Sequence, residues 1–242
     1  MAFIRKAKKT FRKVNKVARK VNRHPVTKGI ASIAKIANMV RLMNVEKKRV
    51  DITYSNINFS QFNGVGVGGY SALAMTPTII QGVTGSTRNG NSVKIVSACF
   101  DFQFTQQSNA LNNSNIKWYI VCLPDNGSAP AATSIAGRLL EINPFSAVID
   151  YHSSRDPEYF SSLKIIKSGT VKMLADQITT QTYYAQRKIP LKLNHHLKYN
   201  SDATSVTTKN AFFMIFTQDQ GDTNIATGAT VSLTARFYYV DN

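Results

Sequence analysis

The spacing of apolar residues divides the chain into two stretches with different periods. Near the amino terminus, Ile4, Ala7, Phe11, Val14, Ala18 and Val21 recur at alternating steps of three and four, which lays one apolar stripe along a helix. Pro25 cannot continue that helix. Beyond it Thr27 is suited to an N-cap, and Ile30, Ile33, Ala37, Val40 and Met43 resume the spacing. The pattern predicts two amphipathic helices, over 3–23 and 28–44, joined by a turn at His24 and Pro25.

From Val50 onward the period falls to two and β-formers dominate. Ile52, Tyr54, Ile57 and Phe59 belong to one extended run, and within Val93–Gln106 the residues Phe100, Phe102 and Phe104 alternate with Asp101, Gln103 and Thr105. Ile116–Leu123 is continuously apolar, as a strand covered on both faces would be. Further strands are predicted at Phe160–Ile166, Thr170–Leu174, Ile189–Tyr199, Ala211–Thr217 and Ala229–Val240. Turn-rich clusters separate them at Gly64–Gly69, Gly82–Asn91, Asn109–Asn115, Asp125–Pro130 and Asp219–Gly228. One interior helix is expected, over Ser134–Ile142. About eight strands with long loops and no helical interleaving predict an all-β sandwich or barrel. No internal repeat is visible.

Charge sharpens this division. The 242 residues carry a formal net charge of +17. Residues 1–50 hold 16 Lys and Arg against one acid, Glu46, or +15, and residues 51–242 hold 14 against 12, or +2. The chain reads as a basic helical arm (1–50) on a nearly neutral body (51–242). Arg5, Lys6, Lys8, Lys9, Arg12, Lys13, Lys16, Arg19, Lys20 and Arg23 surround the first helix and Lys28 opens the second. These are the candidate polyanion-binding residues, suited to sequence-independent, salt-dependent contacts with phosphates. The first helix is too polar to bury itself alone and is expected to fold against a partner.

Composition excludes several classes. With 43% hydrophobic residues the chain can bury a sizeable core. Two cysteines cannot staple a mini-fold or build a four-cysteine zinc site. The longest strongly apolar run, Ala211–Phe216, is far short of the roughly 20 residues that span a bilayer. Met1–Lys20 lacks the apolar segment of a secretory signal, so the protein is expected to be used inside a cell or released by another route.

No constellation of catalytic residues emerges. Gly64, Gly66 and Gly69 match G-x-G-x-x-G, but the segment that follows contains Pro77 and no clear helix, and no acid lies between Asp51 and Asp101 to bind a ribose. Ser161 and Lys164 match S-x-x-K in a β-patterned stretch without its companion motifs. His195 and His196 are adjacent on a strand and point to opposite faces, so they do not chelate one metal. Cys99 and Cys122 fall in strands that could be neighbours, and free thiols are expected. Asp150, Asp156 and Glu158 surround Pro157, where a turn role outweighs catalysis or a cation site shared with another subunit. No enzyme, cofactor or metal is expected, and the body shows no basic face for reading bases.

The order of landmarks in the body resembles a known family. Ile80, Gln81 and Gly82 lead through Arg88, Gly90 and Asn91 into the strand Val93–Gln106; then come Ile116–Pro124, a short helix near Leu139, Phe160–Met173 and Ile189–Tyr199. This series resembles the capsid proteins of small circular single-stranded DNA viruses (circovirus-like) and related satellite viruses. The arm departs from it, being richer in lysine (10) than arginine (6).

The resemblance implies a single eight-stranded antiparallel jelly roll, a β-sandwich whose copies close into an icosahedral (T=1) shell of about 60 subunits. It also implies packaging of single-stranded nucleic acid, DNA in preference to RNA, although phosphate neutralisation does not report the sugar. Location follows: the virion, and the host nucleus or cytoplasm during assembly. Loops at Ser108–Asn115 and Asp219–Gly228 are expected to face outward, toward a host-cell receptor or membrane. The competing reading is a membrane-active amphipathic helix carried on a β-sandwich targeting module.

Overall fold

The computed structural model describes residues 47–58, 69–82, 87–106, 113–125, 131–145, 149–159, 162–174, 182–200, 207–219 and 229–241. All belong to one compact unit, Lys47–Asn242. Both arm helices expected from the sequence lie outside the described residues, as do the Gly64–Gly68 loop and most of the two loops assigned to receptor contact.

Eight strands form in chain order: β1 (Lys48–Asn58), β2 (Gly69–Ala74), β3 (Ser92–Gln106), β4 (Ser114–Asp125), β5 (Lys164–Met173), β6 (Tyr183–Tyr199), β7 (Thr207–Gln218) and β8 (Ala229–Asp241). A helix, α1 (Ala132–Leu139), and a 3-10 turn (Pro157–Tyr159) lie between β4 and β5. Every strand pairing is antiparallel. The pairs nest: β1 with β8, β2 with β7, β3 with β6, β4 with β5. The pairings β3·β8 and β4·β7 then assemble two four-stranded sheets, β1-β8-β3-β6 and β2-β7-β4-β5. Among the described residues, only Lys198↔Lys209 and Tyr199↔Thr207 pair the two sheets, at the corner between β6 and β7. Such nesting, a long double ribbon folded over itself, is the jelly roll.

Side-chain alternation explains the core. On β3, Phe100, Phe102 and Phe104 face inward and are fully buried. They meet Phe216 of β7, Phe237 of β8 and Trp118 of β4 at ring centroid distances of 5.6–6.1 Å. Offset and edge-to-face pairs at this separation each add about 0.5–1.5 kcal/mol beyond area burial. The continuous apolar run of β4 is buried on two sides. Ile116, Trp118, Ile120 and Cys122 enter the inter-sheet core, and Tyr119, Val121 and Leu123 pack on the opposite face under Ile135, Ala136 and Leu139 of α1.

Four elements differ from the sequence expectation. The predicted strands at Phe160–Ile166 and Thr170–Leu174 are one strand, β5, which runs through Gly169. A Cβ at that position would sit 2.4 Å from Cζ2 of Trp118, so the glycine makes room for the indole of its register partner and does not mark a turn. β6 starts at Tyr183, six residues before the expected Ile189, and β2 is a strand that no alternation announces. The helix ends at Leu139, before Ile142, because Leu140 turns extended and bridges to Arg155.

Candidate functional site

Arg5, Lys6, Lys8, Lys9, Arg12, Lys13, Lys16, Arg19, Lys20, Arg23 and Lys28 all lie outside the described residues. The described body therefore contributes the scaffold and its surfaces.

Within the Q-G…R-x-G-N landmark Arg88 is buried, while Gln81, Gly90 and Asn91 are exposed. Backbone bonds from Gly82 N to Arg88 O (3.1 Å) and from Arg88 N to Ile80 O (3.0 Å) bring Gln81 and Arg88 side by side. Gly90 has φ +78°, a left-handed conformation that favours glycine. Arg88 is fully buried, and its guanidinium donates to the carbonyls of Ile79 (Nε, 3.0 Å) and Gly90 (Nη1). It also stacks 4.3 Å from the centroid of Tyr199, whose hydroxyl donates to Pro77 O at 3.1 Å. Burial holds the Tyr199 hydroxyl well above the ordinary tyrosine range, so it remains a donor. The arginine ties the entry to β3 to the end of β6.

At the opposite end of the sandwich the register places the ends of β1, β3, β5 and β7 beside the starts of β2, β4, β6 and β8. Here Asn115 donates to the Asp219 carboxylate through its backbone N (2.7 Å) and its Nδ2 (2.6 Å), and Asp219 N returns a bond to Asn115 O at 3.1 Å. That pair fastens together the bases of the two segments expected to face outward. Leu174, Tyr183 and Tyr184 are exposed at the same end. Elsewhere Ile80, Ile142 and Phe145 are exposed, Phe145 by 97%.

The remaining candidates have structural roles. Asp150 is buried; it accepts from Asn143 Nδ2 (2.8 Å) and from the backbone N of His152 (2.8 Å) and Ser153 (3.1 Å), which shapes a turn. Asp156 accepts from Glu158 N at 2.9 Å. Among the described residues, no group of His, Cys, Asp or Glu is arranged to hold a metal ion, and no helix is long and apolar enough to cross a membrane. His195 faces inward, its ring 5.7 Å from that of Phe212, and His196 faces out. Cys99 and Cys122 are free and sit in different sheets; burial pushes the Cys122 thiol up to about 11.

Contrary to the expectation from its total charge, the body does carry a basic row. Lys188, Lys192, His196 and Lys198 share the exposed face of β6. Their even spacing is legible in the sequence, but the body's small net charge conceals it.

No family model and no curated protein matches the chain. Similar solved folds include "Desmodium yellow mottle tymovirus" at 8% identity and TM-score 0.36, covering 81% of this chain and 87% of that one. The 60-mer BFDV capsid protein follows at 11% and 0.31, covering 80% and 90%. A virus-like particle of the giant freshwater prawn Macrobrachium rosenbergii nodavirus is similar at 10% and 0.38, covering 81% and 82%. These are resemblances of fold between chains of distant sequence, and the jelly-roll assignment itself rests on the strand order.

Proposed function

We propose that the chain is a viral capsid protein: its jelly-roll body self-assembles into a small closed icosahedral shell, and its arm packages single-stranded nucleic acid, DNA in preference to RNA. One observation carries the reading: residues 1–46, with 13 Lys and Arg against one acid (+12), precede a jelly-roll unit whose residues 47–242 hold 17 against 12 (+5). An enzyme acting on an anion would concentrate charge at a cleft. A container concentrates it on a segment that can face the interior while the neutral body meets copies of itself.

Magnitudes agree with this division of labour. About 60 arms of this charge would bring roughly 700 positive charges together, enough to neutralise a comparable number of phosphates by counterion release. The exposed Ile80, Ile142 and Phe145 are available for burial between copies. In this reading the arm residues from Arg5 to Lys28 contact phosphate, and the segments fastened by Asn115 and Asp219 face the host.

Light scattering of the purified full chain, with its absorbance ratio at 260 and 280 nm, tests the proposal. Particles of shell size with a nucleic-acid-like ratio support it; a monodisperse monomer free of nucleic acid contradicts it.

A further inference from the structure

We infer that the outward row of β6 is a second binding track for single-stranded nucleic acid, separate from the arm. Exposed and more buried positions alternate along the strand from Lys188 to Tyr199, and Tyr184, Gln186, Lys188, Pro190, Lys192, Asn194, His196 and Lys198 are all exposed on one line, with Tyr183 and Arg187 exposed as well. Lys188 to Lys192 and Lys192 to His196 each span roughly 13 Å, at about 3.3 Å per residue. Register adds a cation beside the line, Lys94 of β3 opposite His196; Lys209 of β7 lies between Lys198 and Asp125 of β4.

The charge on this row is not balanced. Asp101, opposite Lys188, is the one acid facing it from β3, and its Oδ1 accepts from Gln186 Nε2 at 3.0 Å. Among the described residues no carboxylate pairs with Lys94, Lys188, Lys192 or Lys198. The far side of the same sheet differs, since Asp51 pairs there with Arg49 and lies 3.9 Å from Arg236. A cationic line next to a neutralised surface is complementary to a phosphate backbone. Tyr184, 60% exposed, and His196 add flat rings on which bases can stack, the combination that single-strand binders use.

Edge protection is the competing explanation. From Tyr183 to Leu197, β6 pairs with β3 on one side and with no described strand on the other, and lysine and proline on such an edge discourage sheet-to-sheet pairing. That role needs neither the ring at Tyr184 nor a missing counter-charge, and it predicts no nucleic-acid contact.

The test uses the full chain and a labelled oligothymidylate, with binding followed by anisotropy across a salt series. Replacing Lys188, Lys192 and Lys198 together with Gln is expected to reduce the slope of log affinity against log salt by about 2, at roughly 0.7 per phosphate contact. The Lys→Arg triple is expected to keep the slope. Tyr184→Ala is expected to weaken binding about fivefold or more at fixed salt, and Tyr184→Phe to preserve it. Ultraviolet irradiation of the unmodified chain with the oligonucleotide is expected to leave an adduct within residues 183–198. An unchanged slope in the Gln triple overturns the inference, and so do adducts confined to residues 1–50. If the Gln triple precipitates, the adduct map of the unmodified chain decides. The inference does not depend on shell closure, and neutralising the arm leaves the row's share of the slope in place.

Discussion

The guanidinium of Arg88 lies 4.3 Å from the ring centroid of Tyr199, both side chains fully buried, joining the approach to β3 with the last residue of β6. A buried cation survives there because Ile79 and Gly90 carbonyls accept its protons and the ring faces its charge. Arg88→Ala would leave those carbonyls without their donor and open a cavity beneath Tyr199. It is expected to cost about 3 kcal/mol or more in unfolding free energy, whereas Tyr199→Phe, which removes the hydroxyl and its bonds to the Pro77 and Ile79 backbone, is expected to cost about 1 kcal/mol. Urea denaturation measures both; equal costs would refute the central place given to Arg88.

Gly169 supplies a second stability test. Any side chain there collides with the Trp118 indole, which is held among Phe102 and its neighbours in the core. Gly169→Ala is expected to destabilise by about 1–3 kcal/mol. Gly137 on α1 is the control: apart from its chain neighbours and the backbone of its own helix, no heavy atom lies within 4 Å of the position a Cβ would take, so Ala is expected to be neutral or stabilising there.

Trp118 and Gly169 also show why part of the fold is illegible in the sequence. A glycine within Lys167–Thr170 looks like punctuation, and its reason is a partner some fifty residues away. β3 and β4 are readable because alternation and continuous burial are written into their own residues. β2, six residues of Gly69–Ala74, is too short and too small in its side chains to show a period and exists by pairing with β7. Arg88 is visible as a landmark, but its burial follows from stacking on Tyr199, over a hundred residues away. The arm is legible as chemistry from composition alone. The basic row of β6 is hidden because Asp125, Asp150, Glu158 and other acids elsewhere on the body cancel it in any sum over the chain.

Acidification provides a third test. His195 is half-buried against Phe212, and burial, then Lys164 and His196, hold its imidazole below the usual range. Above the unfolded value of about 6.5 it is neutral in both states and contributes nothing to the pH dependence. As pH falls through that value the unfolded chain takes up a proton that the folded chain resists, so stability drops until the lower folded value is passed. The thermal midpoint is expected to fall between pH 7.5 and 5, and His195→Gln to flatten that stretch of the curve. An identical pH curve in the variant would show that other groups control it.

Phe145 tests the interface assignment. Its side chain is 97% exposed in the single chain, so Phe145→Asp is expected to leave the thermal midpoint of the body within about 0.5 kcal/mol equivalent while preventing particle formation in size-exclusion chromatography. Particles of unchanged size and yield would remove Phe145 from the interface.

Single-particle electron microscopy of the full chain, before and after nuclease treatment, addresses the central claim directly. A capsid protein with a packaging arm is expected to give closed particles of icosahedral symmetry that retain nucleic acid after nuclease. Empty or unformed particles are expected when Arg5, Lys6, Lys8, Lys9, Arg12, Lys13, Lys16, Arg19, Lys20 and Arg23 are replaced by Gln. Dispersed monomers, or particles whose nucleic acid is unchanged by those replacements, would contradict it.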